Sequence, residues 1–153
     1  MTKRLVLLLG ILCTLSLAAG CSNMTAEMID KMGEPEKIYH SGNDLLSGDY
    51  DILPKPENKK DKPAPFFLRK DDKGWKISQP DTPALHLFEL SPEEMRSVIP
   101  NFNPETMQCI GRANTKICKA PKGTKIHSGD LTLTSKTGYV VIVGKDWDHA
   151  RKK

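Results

Sequence analysis

The side chains able to do covalent chemistry in this chain of 153 residues begin with four cysteines, Cys13, Cys21, Cys109 and Cys118. Cys109 and Cys118 end the stretch "CIGRANTKIC", with Gly111 and Asn114 between them, residues that favour turns. Two thiols so placed can form a disulfide, a redox pair or part of a metal site. A metal site needs more ligands than two thiols, and no C-x-x-C or nearby histidine supplies them. The four histidines, His40, His86, His127 and His149, lie far apart and share no ligand spacing. They read as scattered surface or half-buried side chains. No G-x-S-x-G, H-E-x-x-H, P-loop or G-x-G-x-x-G occurs. Glu93 and Glu94 fit helix capping better than paired acid–base work, and Asp71 and Asp72 fit a turn; a calcium loop needs more acidic positions. No catalytic residue, metal ligand or cofactor is assigned, and the chain reads as a non-enzyme.

Cys21 has a different setting. The chain starts with Lys3 and Arg4, continues with an apolar run from Leu5 to Leu17, and reaches Cys21 through Ala18-Ala19-Gly20. A short cationic start, an apolar stretch and small residues mark a secretory signal. The run is shorter than the roughly 20 residues that span a bilayer. The segment "LAAGC" resembles the lipobox of bacterial lipoproteins, although that family favours leucine where Ala18 stands. The resemblance implies cleavage between Gly20 and Cys21 and acylation of Cys21. Each buried methylene contributes about 0.8 kcal/mol, so two or three chains on one residue hold firmly. In Gram-negative lipoproteins an aspartate after the cysteine retains the protein in the inner membrane. Ser22 stands there, which implies an outer-membrane anchor and a periplasm-facing domain.

This leader bears on the remaining thiols. With Cys13 removed and Cys21 acylated, Cys109 and Cys118 are left, in a compartment where paired cysteines usually bridge. The expected disulfide closes a ten-residue loop and stabilises by roughly 2–3 kcal/mol on chain-entropy grounds. Losing Lys3 and Arg4 lowers the formal charge of +4 by two. The balance is too mild to argue for a nucleic-acid partner.

The elements that must carry these residues follow from pattern. Thr25 can cap a helix over 24–33, with Met24, Met28, Ile29 and Met32 near helical spacing and Gly33-Glu34-Pro35 as its stop. "KIYHSG" reads as a strand entering a turn. Pro54 to Pro65, "PKPENKKDKPAP", is rich in proline and charge and reads as a loop or linker. Phe66-Phe67-Leu68 and Trp75-Lys76-Ile77-Ser78 flank Asp71-Asp72-Lys73-Gly74 in a hairpin pattern. Phe66, Phe67 and Trp75 are candidates either for the core or for a partner-docking face. "ALHLFEL" is a further strand. Ser91, Pro92 and Glu94 form a helix start with a capping box, and Met95, Val98 and Ile99 its buried edge. "NPETMQC" repeats that start in weaker form. Strands are expected at 125–127, 131–134 and 139–143, the last apolar on both faces and so central. The polar "DHARKK" tail is expected to fray.

The order "MTAEMIDKMGEPEKIY" also resembles the small SmpA/OmlA-type lipoproteins of the outer-membrane barrel assembly machinery, with Met24, Thr25, Ile29, Gly33 and Pro35 as matching positions.

Together these features predict a signal peptide at 1–20, a lipidated helix-and-strand segment at 21–53, a loop or linker at 54–65 and a main domain at 66–153. The expected fold class is α+β: one small domain, an antiparallel sheet with two or three short helices and a C-terminal β-hairpin. The expected function is that of an envelope interaction or assembly factor, held to the bilayer through Cys21 and partnered by another envelope protein. The rival expectations are a periplasmic inhibitor of a hydrolase such as lysozyme, and an accessory lipoprotein of a secretion system.

Overall fold

The computed structural model of the chain describes residues 37–58 and 60–153. The expected helix over 24–33, Gly20 and Cys21 lie outside the described residues. Among these there are ten strands and one α-helix: β1 (Gly48–Ile52), β2 (Ala64–Lys70), β3 (Trp75–Gln79), β4 (Thr82–Glu89), α1 (Pro92–Val98), β5 (Gln108–Arg112), β6 (Thr115–Lys119), β7 (Lys125–Ser128), β8 (Leu131–Thr134), β9 (Tyr139–Val143) and β10 (Asp146–Lys152).

The fold is mostly β, which corrects the α+β expectation. Eight strands close a barrel in the order β1-β10-β9-β6-β5-β4-β3-β2, every neighbouring pair antiparallel. Each strand from β1 to β5 pairs with the next in sequence, and β7 and β8 form a separate two-stranded ribbon inserted between β6 and β9. The helical part shrinks because only one of the two Pro-Glu starts succeeds. At α1, Ser91 accepts from the Glu94 backbone N–H while the Glu94 carboxylate accepts from the Ser91 N–H. At the second, Asn103 caps only a turn: its side chain accepts from the Glu105 N–H, and its carbonyl from those of Thr106 and Met107. The capping side chain is present, but no amphipathic run follows to bury.

Two cores result, one on each side of the sheet. Strands alternate their side chains between faces. Tyr50, Phe66, Leu68, Trp75, Leu87, Ile110, Ile117, Val141 and Ala150 point into the barrel and pack with Leu46. Cys109, Cys118, Val140 and Ile142 point outward from β5, β6 and β9. There they are covered by Met95, Val98 and Ile99 at α1 and by Ile126 and Leu133 of the β7–β8 ribbon. This explains why Tyr139-Val-Val-Ile-Val143 is apolar at successive positions: β9 lies between β6 and β10 and is buried on both faces.

The last strands pair in two groups, and the tail expected to fray is one of the partners. Leu131–Thr134 pairs with Lys125–Ser128, and Tyr139–Val143 pairs with β6 and β10 rather than with the strand before it. The "DHARKK" tail belongs, up to Lys152, to β10, which hydrogen-bonds to β9 on one side and β1 on the other and so closes the barrel. Gly144, at φ 62°, makes the two-residue turn between β9 and β10 possible. The stretch expected as loop or linker is mainly the connection from β1 to β2, neighbours in the same barrel, and its last two residues, Ala64 and Pro65, belong to β2. Tyr39, from the expected N-terminal strand, makes a single bridge to Glu89.

Candidate interaction surface

The disulfide joins Cys109 and Cys118, as the cysteine spacing led us to expect. The two residues are directly opposed in the β5–β6 register, with Cα atoms 4.1 Å apart. Both are fully buried beneath α1 and the ribbon. A thiol pair placed there staples two barrel strands from outside.

The candidate docking aromatics separate. Phe66 and Trp75 are fully inside the barrel, where Phe66 stacks on Tyr50 at 4.9 Å between ring centroids. Phe67 points the other way, half-buried, with the Arg69 guanidinium 6.0 Å from its ring centroid. Only Phe67 of the three is placed to meet a partner at the surface.

The interior holds side chains rather than a ligand chamber. Tyr50 donates from its hydroxyl to the Leu46 carbonyl at 2.6 Å, and burial raises its pKa well above the ordinary tyrosine value. The Lys152 ammonium lies 5.9 Å from the Tyr50 ring at one end of the barrel. At the other end, where Pro80-Asp81, Ala113-Asn114 and Gly144-Lys145 turn the chain, the apolar lining reaches solvent. A depression of 220 Å³ lies among Ile52, Ile77, Leu85, Val141 and Val143. Leu85 is 37% exposed and Val143 50% exposed, large apolar side chains of a kind otherwise covered among the described residues. No sequence feature marked them, because both belong to strands whose other barrel-facing residues include buried ones, Leu87 and Val141.

Two polar clusters serve the fold. Buried Glu89 accepts from the backbone N–H and hydroxyl of Ser41 and from the Gln108 side-chain amide, which in turn accepts from the Leu45 N–H. This clamp ties the segment preceding β1 to the barrel. A wide depression of 940 Å³ runs beside Tyr39, Phe88, Glu94 and Ser97. Its Glu94 and Ser91 are engaged in the capping box, and the Ser97 hydroxyl donates to the Glu94 carbonyl at 2.7 Å.

The four histidines do not converge. His40 is exposed. His86 lies 2.9 Å from Asp71 beside the β2–β3 turn. Burial tends to raise the Asp71 pKa, but hydrogen bonds from His86 and from the Lys73 and Gly74 N–H groups outweigh it and leave the carboxyl below its ordinary range. His127 bonds Thr132 across the ribbon at 2.9 Å. His149 is half-buried beside Trp147. His127 and His149 line different depressions. Among the described residues no group of three or more His, Cys, Asp and Glu is arranged to hold a metal ion.

Comparison with protein-family models, with curated proteins and with solved structures finds no match to this chain.

Proposed function

We propose that this protein is a membrane-tethered envelope lipoprotein whose barrel is a non-enzymatic interaction module for another envelope protein. The observation that carries the reading is the filled barrel with an apolar end. Trp75, Tyr50 and Phe66 occupy the space a small-molecule carrier of this architecture would leave open. Recognition then falls to the outside, where Leu85 and Val143 surround a shallow apolar depression. Exposed apolar groups clustered in this way fit a protein partner better than free solvent. The leader from Lys3 to Cys21 supports an acyl anchor on Cys21 and, with Ser22 after it, an outer-membrane position facing the periplasm.

The disulfide-stapled β domain keeps one rival in play, the inhibitor of a lysozyme-type hydrolase. Photo-crosslinking in the native cell separates the two readings. A crosslinker at Val143 should capture one envelope protein, and the same group at Lys76 on the barrel side should not. Capture of a hydrolase would favour inhibition, and capture of a secretion component would favour an accessory role there. Equal background capture at both positions would overturn the docking surface. Independently, Cys21→Ala should move the folded protein from membrane pellets to the soluble fraction; continued pelleting without acyl label would refute the anchor.

A further inference from the structure

Strand β4 outruns its neighbour β5. From Thr82 to Leu87 it pairs with β3, but its pairing with β5 is confined to Phe88 and Glu89. Strand β5 ends at Arg112, and the chain turns back at Ala113-Asn114. Across the paired part of this seam the Leu90 N–H donates to the Cys109 carbonyl. Backbone groups of an antiparallel strand face alternate sides. His86 lies an even number of residues before Leu90 with no register shift between them, so its N–H and C=O face the same side. There β5 has ended, and among the described residues no backbone partner meets them. An open edge is ordinarily guarded by charge, proline or a bulge. Pro83 and the register shift between Ile77 and Gln79 guard only the end next to the turn. Ala84 and Leu85 are exposed and uncharged. The edge borders the 220 Å³ depression, which has Thr82, Pro83 and Leu85 on one side, Thr115 and Val143 on the other, and no charged residue in its lining.

We infer that this edge of β4 takes one extended strand of another protein, in the place β5 would hold were it longer. The occupant is polypeptide because the vacant groups are a donor and an acceptor on one residue of a strand, and an extended backbone supplies the matching acceptor and donor. Its side chains alternate between faces. Those on the barrel side enter the depression among Ile77, Leu85, Val141 and Val143, where a lining without charge demands apolar groups. Those on the outside stand beside Ala84 and His86 and are free to be polar. The partner segment is therefore one of alternating apolar and polar residues. A second copy of this chain fits less well. The Ala113-Asn114 tip stands on the open side of β4, where it would meet the other barrel if two such edges were brought together. The inference rests on the docking surface proposed above and names what that surface holds; it does not rest on the acyl anchor.

The test uses the full chain and, as probe, a short acetylated peptide of alternating valine and threonine with lysine at each end, followed by NMR and amide hydrogen exchange. A second peptide has the same side chains with every amide N-methylated, and so cannot donate. In the free chain the His86 amide should exchange fast, unlike that of Leu87, which faces β3. The first peptide should slow it and shift it saturably together with the Leu85 and Val143 methyl signals; the methylated peptide should do neither. His86→Pro removes a donor that lies outside the β3 ladder, and should weaken binding roughly tenfold. His86→Val loses the side-chain contact to Asp71 but keeps the N–H, and should bind as the parent does. A His86 amide already protected in the free chain, equal binding of the two peptides, or unmoved signals with the first would overturn the inference. Protection that appears with protein concentration alone would give the edge to a second copy and overturn it as well. In the native cell, His86→Pro should lose capture through a crosslinker at Val143. Unchanged capture would overturn strand addition and leave the docking surface standing, whereas no capture even in the parent would remove that surface and this inference with it.

Discussion

A half-buried histidine records its surroundings in its protonation. Burial is the largest influence on His149, with the Lys136 charge adding to it and the Asp148 charge opposing it. Its folded-state pKa is below the ordinary histidine value, so the unfolded chain takes up its proton first as pH falls. In that window the unfolded state holds more protons, and stability must rise with pH. The contribution is complete above the ordinary histidine pKa and is lost as pH falls through that value towards the lowered one. The melting temperature should therefore decline as pH falls from neutral through the ordinary histidine range, and His149→Gln should flatten that part of the profile. An unchanged slope in the variant would mean that other groups carry it. Asp71 acts in a separate window: its lowered pKa places its loss in more acid solution, so the two slopes do not overlap.

At the scale of elements, what was legible in the chain depended on whether one side chain announced the element. Ser91-Pro92-x-Glu94 specified α1 because capping is local, and Asp71 to Gly74 specified a turn for the same reason: the Asp71 carboxylate accepts the Lys73 and Gly74 N–H groups. Strand β10 announced nothing. On the barrel-facing side it carries Asp148, Ala150 and Lys152, and only Ala150 is fully buried, so no apolar alternation appears in the sequence. It is held by backbone pairing with β1 and β9, and such pairing is not written in side-chain type. The disulfide lies between these extremes: the pairing was legible, but its position outside the barrel was not. Because it joins opposed residues of one hairpin, it closes a short loop, and opening it should cost about 2–3 kcal/mol. A Cys109→Ala, Cys118→Ala chain should lower the urea midpoint accordingly, and reductant should shift the parent protein but leave the variant unmoved. An identical midpoint in parent and variant would show the staple to be energetically idle.

For the whole molecule, closure is the property that sequence patterns conveyed least. Alternation identifies strands one at a time, and the same strands could form an open sheet with helices on one face. What selects the barrel is the meeting of β1 with β10, the first and last strands described. An open sheet would leave two rows of unpaired backbone groups, a template for aggregation. Closure also explains why the candidate interaction surface escaped notice, since Leu85 and Val143 become neighbours across one end only when the ring is complete. The consequences for chain ends and loops are opposite. The proline-rich connection from β1 to β2 lies outside the ring of pairing, so doubling its length should cost only about 0.6 kcal/mol. Removing 146–153 deletes one of eight staves, uncovers both β1 and β9, and takes away Ala150 from the core. The lengthened loop should leave a single cooperative thermal transition nearly where it was, whereas the truncated chain should lose that transition and aggregate. A truncated chain that still melted cooperatively as a monomer would show that the remaining seven strands close or cover themselves without β10.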